Sequence, residues 1–144
     1  MEIKKLTTEN TESVYRVLCD AFDNPWSADT VNTLLQSNQA VCFGAFEGEE
    51  LVGYVALEWV FDEGSLTDIA VLKEYRGRGI SKLLMDELVK AAKEQKLQFV
   101  TLEVRVGNVP AISLYRSYGF EDVGKRPAYY KNPTEDALLM TKNL

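Results

Sequence analysis

The segment from 73 to 82 holds the residue types that most clearly predict a chemical role. It is a positive patch in a chain whose net charge is −6, with four cations against one anion: Lys73, Arg76, Arg78 and Lys82 against Glu74. Gly77 and Gly79 would let the backbone approach an anion closely. The strand pattern before this segment and the helical pattern after it place free N–H groups and the positive end of a helix dipole here. The combination predicts a site for a diphosphate.

The two glycines match competing loop types less well. An isolated Gly-x-Gly is most often a solvated turn, but here it coincides with cations and the start of a helix. The run from 77 to 82 lacks the third glycine of a dinucleotide fingerprint and the Gly-Lys-Ser/Thr ending of a nucleoside triphosphate loop. Glu103 lies where a ribose-binding acid could follow, but the strands before the patch predict an antiparallel meander and not a Rossmann sheet.

Hydrophobic periodicity predicts the elements on the N-terminal side of the patch. A short strand around Ile3 and Leu6 precedes two helices, and Ser27 is suited to cap the second. Three apolar stretches separated by turn glycines then predict an antiparallel meander, over residues 40–46, 51–61 and 65–72.

The elements after the patch predict one parallel connection. A helix from Ile80 leads to a strand at 99–104, which together with the strand before the patch makes a right-handed βαβ crossover. Asn108 is suited to cap a last helix, and Gly119 is placed to end it. Two strands near 120–130 and 137–142 complete the order βααβββαβαββ.

Composition limits the class of protein. With 144 residues, 46% hydrophobic and 26% charged, the chain is expected to form one domain over residues 1–144. It shows no signal-peptide core and no membrane-length apolar run, so we expect a cytoplasmic protein. The acidic balance argues against a nucleic-acid surface. Cys19 and Cys42 lack metal-type or CxxC spacing, which predicts buried reduced thiols and no metal site.

The run Arg76-Gly77-Arg78-Gly79-Ile80-Ser81 resembles the R/Q-x-x-G-x-G/A acetyl-coenzyme A motif of the GNAT superfamily of N-acetyltransferases, and the element order resembles that superfamily over nearly the whole chain. The resemblance is closer to the bacterial RimI-type branch, which acetylates the N-terminal alanine of a ribosomal protein. The residues that carry it are Pro25-Trp26-Ser27, Ile69-Ala70-Val71, Leu102-Glu103-Val104-Arg105, Asn108, Ala111, Leu114-Tyr115, Tyr118-Gly119-Phe120, Tyr129-Tyr130 and Asp136-Ala137.

This resemblance implies an α/β (α+β) fold with a mixed, mostly antiparallel sheet of about seven strands, one parallel βαβ crossover and about four helices. It implies acetyl-coenzyme A (acetyl-CoA) as co-substrate, bound by Ile69, Ala70, Val71, Arg76, Gly77, Arg78, Gly79, Ile80, Ser81, Lys82 and Asn108. Ile69 and Val71 would pair with the pantetheine arm, and the Val71 N–H would stabilise the oxyanion. Ser81 stands where the motif usually has Gly or Ala, which predicts either a tolerated hydroxyl or a lower affinity for acetyl-CoA.

Proton transfer must proceed without histidine, because the chain has none. Glu103 is a candidate base if it is partly buried near the end of its strand, although the residue alone is equally compatible with a solvated strand-end glutamate. Tyr115 shares a helix face with Ile112, which is the usual pattern of a core aromatic. Its phenol is also suited to protonate a leaving thiolate. The resemblance implies that Glu103 is the general base and Tyr115 the general acid.

The acceptor is expected to be an amine. An α-amino group titrates near pH ~8 and a lysine amine near ~10.4, so deprotonating lysine is harder by roughly 3 kcal/mol. A protein N-terminus therefore suits a modest carboxylate base, and the resemblance implies a basic ribosomal-protein N-terminus as partner of a monomer or weak dimer. A small amine such as a polyamine or aminoglycoside, or a noncatalytic acyl-CoA-binding regulatory module, stays open as an alternative.

Two sets of residues are weaker candidates for the acceptor side. Tyr129 and Tyr130 could wall an acceptor groove, together with aromatic residues from other segments: Trp26, Trp59 or Tyr54. Asp62, Glu63 and Asp68 could attract a basic tail, although isolated acidic loop residues are most often solvated.

Overall fold

The computed structural model describes all 144 residues as four α-helices and seven strands. The helices are α1 (Thr11–Ala21), α2 (Ala28–Gln36), α3 (Ile80–Glu94) and α4 (Val109–Ser117). The strands are β1 (Glu2–Lys5), β2 (Ala40–Glu47), β3 (Glu50–Val60), β4 (Glu63–Val71), β5 (Phe99–Arg105), β6 (Glu121–Tyr130) and β7 (Glu135–Asn143). Two short 3-10 helices lie at Thr8–Asn10 and Lys73–Tyr75. The chain order matches the predicted order of elements.

All seven strands form one sheet in the order β1-β2-β3-β4-β5-β7-β6. Every neighbouring pair is antiparallel except β4 and β5, which are parallel and joined through α3. This arrangement confirms the predicted fold class, a mixed and mostly antiparallel sheet with one βαβ crossover and four helices.

Local sequence explains why the helices begin and end where they do. Ser27 accepts a hydrogen bond from the N–H of Thr30 at 3.1 Å, which confirms it as the cap of α2. Asn108 caps α4 in the same way, and Gly119 follows that helix with a φ of +89°, a conformation that favours glycine. The apolar faces of α1 and α3 pack on the sheet and bury residues at helical spacing, among them Val14, Val17, Leu84 and Leu88.

The two cysteines differ from each other. Cys42 on β2 is buried, as expected, whereas Cys19 lies on the exposed side of α1, so its predicted burial is wrong. Residue 19 follows the buried Val17 and Leu18, and at helical spacing it turns away from the sheet. None of the helices combines the length and the apolarity that crossing a membrane requires.

The parallel pair is short. β4 and β5 are in register only where Glu63–Ser65 meet Phe99–Thr101, and both strands then continue without pairing with each other. β4 stays attached to β3, and β5 to β7, so the sheet opens between residues 66–71 and 102–105. We call this opening the gap.

The closed end of the gap depends on Gly64. A Cβ at this position would lie 2.7 Å from Leu97 Cδ1 and 3.1 Å from the Phe99 carbonyl oxygen. We expect Gly64→Ala to lower the free energy of unfolding by about 1 to 3 kcal/mol, because the backbone of β5 would have to move. Urea unfolding measures this, with Gly124→Ala as control, since its Cβ would meet only Leu139 at 3.6 Å. Equal losses of unfolding free energy in Gly64→Ala and Gly124→Ala would contradict tight packing at the closed end of the gap.

Candidate active site

Main-chain groups of β4 point into the gap. The N–H of Leu72 donates to the Val52 carbonyl at 2.9 Å, and the register continues with Tyr54 opposite Ala70. Because hydrogen-bonded pairs alternate along antiparallel strands, Ala70 bonds to β3 while Ile69 and Val71 direct their N–H and C=O groups away from it. The Ile69 N–H is bonded to Asp68 Oδ1 and the Val71 carbonyl to Arg76, so the open edge of β4 presents the Ile69 carbonyl and the Val71 N–H. An extended, amide-containing chain can add to these two groups as a strand would.

The loop from 76 to 79 has the conformation that its glycines predict. Gly77 and Gly79 both have φ near +80°, in the left-handed region that side chains disfavour, and Gly79 is the residue from which α3 begins. A Cβ on either glycine would meet no atom within 4 Å. Glycine is required here by backbone conformation, and the space beside it is open.

The main-chain N–H groups of residues 77 to 82 have no hydrogen-bond partner within the protein. The N–H of Arg76 bonds to the Lys73 carbonyl, and the next one that is paired belongs to Leu83. A run of free amides at the start of a 15-residue helix is suited to bind an anion.

Two arginines are folded back along this loop. Arg76 Nε donates to the Val71 carbonyl at 3.2 Å, which holds the guanidinium at the outer end of the gap. Arg78 lies over the Tyr75 ring at 4.7 Å and donates to the Glu74 carbonyl at 3.2 Å. Both side chains are exposed and carry no ion pair, so their charge is available to an anion.

The remaining predicted cofactor residues differ in what they offer. Ile80 is buried in the core, so it has only its main-chain N–H to contribute. The ammonium of Lys82 is exposed, and Ser81 is half-buried with no hydrogen bond to its hydroxyl. Asn108 Oδ1 caps α4 by accepting from the Ala111 N–H at 3.3 Å. The cap is therefore present, and a contact of Asn108 with acetyl-CoA stays a prediction.

Glu103 lies on β5, on the side of the gap opposite β4. Its side chain is 36% exposed, and its Oε2 lies 3.7 Å from Arg126 Nε on β6. The residue is third from the end of β5 rather than at its end. Its negative charge raises the pKa of Tyr129, which places the Tyr129 phenol beside it.

Tyr115 on α4 lies between the two sides of the gap. Burial is the main cause that raises the pKa of its phenol, and the charges of Asp68 on β4 and of Tyr130 raise it further. Burial likewise raises the pKa of Tyr130 to about 12, with the charge of Glu103 as the next cause. The structure therefore brings Glu103, Tyr130, Tyr115 and Asp68 into one neighbourhood.

The Tyr115 hydroxyl is free although its ring is buried. It makes no hydrogen bond to another residue, and no buried side-chain oxygen or nitrogen in the protein lacks a partner. The oxygen is therefore not fully enclosed by the protein, while the ring packs against Phe120. A protonated, unpaired phenol in this position can donate a proton or a hydrogen bond to a ligand.

Asp68 is the residue whose setting differs most from the sequence interpretation, which grouped it with solvated loop acids. It lies within β4, next to a β-bulge at which Thr67 is the extra residue. Its Oδ2 accepts from the Tyr54 hydroxyl at 3.3 Å and its Oδ1 from the Ile69 N–H at 3.0 Å. Burial raises its pKa to about 7. An acidic residue directly before the apolar run Ile69-Ala70-Val71 was the signal that could have identified it.

Arg105, at the end of β5, fastens the turn between β6 and β7 next to the gap. Its guanidinium donates to the carbonyls of Lys131 at 2.9 Å and Pro133 at 3.0 Å, and to Glu135 Oε1 at 3.2 Å. It also lies over the Tyr130 ring at 4.6 Å. Sequence reasoning noted Arg105 only as part of a motif, because its partners lie about thirty residues further along the chain.

The structure is compatible with some of the weaker acceptor-side candidates and excludes others. Tyr54 is fully buried and cannot line a groove. Trp59 lies opposite Gly64, at the closed end of the gap, where the turn that carries Asp62 and Glu63 also lies. Tyr129 and Tyr130 stack edge to face at 5.1 Å beside Glu103, so these two remain candidates for a groove wall.

The open sheet, the free amides and the tyrosine–carboxylate neighbourhood coincide with a recognised protein family. The sequence model described as the acetyltransferase (GNAT) family matches residues 11–120, which is more than half of the chain. The chain therefore belongs to the acetyltransferase (GNAT) family. This confirms the resemblance seen in the sequence, the enzyme class of an acyltransferase, and acetyl-CoA as the acetyl donor.

Individual relatives agree with this assignment. The chain is 33% identical over 141 residues to the ribosomal protein bS18-alanine N-acetyltransferase of Haemophilus influenzae, covering 96% of this chain and 95% of that one. It is 39% identical over 123 residues to an N-alpha-acetyltransferase of Sulfurisphaera tokodaii, covering 76% and 73%. The crystal structure of the ribosomal-protein-alanine N-acetyltransferase from Escherichia coli superposes with a TM-score of 0.92 at 28% identity, covering 99% and 92%.

Proposed function

We propose that this acetyltransferase moves the acetyl group of acetyl-CoA to the N-terminal α-amine of a protein, and that its acceptor is the N-terminal alanine of a ribosomal protein. The observation that carries the proposal is the gap itself. Free amides lie at its outer end, two β4 residues face into it, and a free phenol and a carboxylate flank it. The relatives from Haemophilus influenzae and Sulfurisphaera tokodaii support the choice of acceptor by their names.

The donor half of the site follows from the free main-chain groups. The N–H groups of residues 77 to 82, with the charges of Arg76, Arg78 and Lys82, would hold the diphosphate. Ile69 and Val71 would bind the pantetheine arm as a neighbouring strand does, which directs the thioester toward the closed end of the gap. Asn108, at the start of α4, would contact the arm from the other side.

The chemistry requires a base, an oxyanion donor and an acid. Glu103 would accept a proton from the acceptor nitrogen, and the Val71 N–H would stabilise the oxyanion of the tetrahedral intermediate. Tyr115 would protonate the departing thiolate, since its raised pKa keeps the phenol protonated at neutral pH. Transfer is then direct, within a ternary complex, and needs no covalent enzyme intermediate.

The acceptor half fits a basic polypeptide. The chain carries a net charge of −6, which favours positively charged partners through long-range attraction. A ribosomal-protein acceptor would place the enzyme in the cytoplasm. We expect one catalytic domain over residues 1–144 that works as a monomer or weak dimer and makes no direct contact with nucleic acid.

A panel of acceptors tests the proposal. Purified enzyme is incubated with acetyl-CoA and either a peptide that begins with alanine, the same peptide with a blocked N-terminus and an internal lysine, or the polyamine spermidine. We expect acetylation of the free N-terminal peptide to exceed the other two by at least about tenfold in kcat/KM, because the α-amine is the most readily deprotonated of these amines. Faster acetylation of spermidine would favour the small-molecule alternative and contradict the proposal.

A further inference from the structure

The donor edge of β4 carries a carboxylate that the proposed reaction has not yet used. Asp68 Oδ1 lies 3.0 Å from the N–H of Ile69, one of the two N–H groups that face the gap. One oxygen of the carboxylate therefore lies beside the edge of β4 that would receive a ligand. Its other oxygen accepts from Tyr54, which fixes its orientation.

Asp68 lacks a cationic partner. None of the ion pairs in the protein includes it, whereas Glu103 across the gap lies 3.7 Å from Arg126. The charged or titratable groups around Asp68 are Tyr54 on β3, Tyr115 on α4 and Tyr130 on β6, with Cys42 and Glu58 beyond Tyr54. A partly buried carboxylate with no cation beside it is well matched to an incoming ammonium.

The spacing along β4 allows Asp68 to reach the acceptor nitrogen. Two residues of a strand span about 6.7 Å, the separation expected between the Ile69 and Val71 N–H groups. Two hydrogen bonds of about 2.9 Å each, one from Val71 to the oxyanion and one from the amine to Asp68, can span a similar distance together with the carbon–oxygen and carbon–nitrogen segments between them when that path is bent. A carbonyl group held by Val71 would therefore present its carbon to an amine held by Asp68.

The reaction itself calls for two proton acceptors. An ammonium loses one proton before its nitrogen can attack the thioester carbon, and a second when the tetrahedral intermediate collapses to the amide. The C–N bond forms, the C–S bond breaks, and the thiolate gains a proton from Tyr115. Glu103 accounts for one of the two protons that leave the nitrogen.

We propose that Asp68 is a second catalytic carboxylate, which binds the incoming ammonium and accepts its first proton, while Glu103 accepts the second. This inference rests on the proposed amine acetyltransferase function but not on which amine is the acceptor. The pKa of about 7 supports it, since a group that titrates near neutral pH accepts and releases a proton readily.

The test compares Asp68→Asn with wild type on the amine that wild type acetylates fastest, the alanine peptide or spermidine. Asparagine keeps the size and one acceptor oxygen for the Ile69 N–H, and the Tyr54 hydroxyl can turn to accept from its NH2 group, while the negative charge is removed. We expect kcat/KM to fall at least tenfold at pH 7.5, and the acidic limb of the pH profile near pH 7 to disappear. As a control, Glu94→Gln removes one negative charge at the exposed end of α3, and it should leave both kcat/KM and the acidic limb unchanged. If Asp68→Asn keeps the wild-type kcat/KM and the acidic limb of the pH profile, the proposed role of Asp68 is overturned.

Acetylation of spermidine alone would overturn the proposed acceptor and leave the Asp68 comparison valid on spermidine, so the two failures are distinguishable.

Tyr54→Phe supplies a second variant. Because the Tyr54 hydrogen bond lowers the pKa of Asp68, its loss should move the acidic limb to higher pH. An unmoved limb would show that Asp68 does not set it.

Thermal unfolding gives a readout separate from activity. The pKa of Asp68 is raised by folding, so the protonated form is preferred in the folded state, and stability falls as pH rises from about 4 to about 7. Asp68→Asn should therefore raise Tm at pH 8 relative to wild type, with little gain at pH 4. A Tm difference that is equal at both pH values would contradict the raised pKa of Asp68.

Discussion

Replacing Tyr115 with phenylalanine is expected to lower kcat by about 100-fold or more, the range usual for loss of a positioned general acid. The phenol oxygen makes no hydrogen bond to the protein, so its removal leaves no buried partner unpaired. We therefore expect stability and acetyl-CoA affinity to stay close to wild type. Steady-state kinetics with isothermal titration of acetyl-CoA separates the effect on kcat from any effect on binding.

A matched control for this variant lies on α1. Tyr15→Phe removes the same hydroxyl from a residue outside the gap and should leave kcat unchanged. Because the pKa of Tyr115 is raised well above neutral, wild-type activity should not decline between pH 7 and 9 through this group. If Tyr115→Phe keeps more than half of the wild-type kcat, thiolate protonation must come from water or another residue.

Replacing Gly79 with valine is expected to weaken acetyl-CoA binding by about 100-fold. A β-branched side chain is a strong outlier at φ near +80°, so the loop must change conformation and turn its amides away from the diphosphate. Loss of two charge-assisted hydrogen bonds, each worth about 1.5 to 3 kcal/mol, accounts for a change of this size. Isothermal titration of acetyl-CoA into the variant measures it.

Gly48 provides the control for the backbone effect. It has a φ of +62° in the turn between β2 and β3, and a Cβ there would also meet no atom within 4 Å. Gly48→Val should thus show a similar loss of stability with wild-type affinity for acetyl-CoA. Equal loss of affinity in both variants would mean that general destabilisation, and not the loop, controls binding.

Much of the fold could be predicted because its signals are local. Ser27, Asn108 and Gly119 mark helix ends through the groups next to them in the chain, and the helical spacing of Val14, Val17 and Leu18 identifies the buried face of α1. The loop glycines are also a local signal, because a positive φ is a property of a single residue. Such features need no knowledge of distant contacts.

The environments of the two carboxylates beside the gap could not be predicted, because they depend on contacts between residues that are far apart in sequence. Asp68 accepts a hydrogen bond from Tyr54, fourteen residues away on β3, and lies next to a bulge that only strand register reveals. Glu103 lies beside Arg126, which comes from β6, a strand that is distant in sequence and is not its neighbour in the sheet. The separation of β4 from β5, which makes the gap, likewise has no local signal in either strand.

The central claim is that the free amides of residues 77 to 82 bind the diphosphate and direct the thioester along β4 toward Glu103 and Tyr115. Titration of nitrogen-15-labelled protein with acetyl-CoA, followed by amide chemical shifts, tests this most directly. We predict that the largest shifts occur at residues 77 to 82 and at Ile69 and Val71. Unmoved amides at those positions, with large shifts instead in the pocket lined by Val109, Arg116 and Lys125, would contradict it.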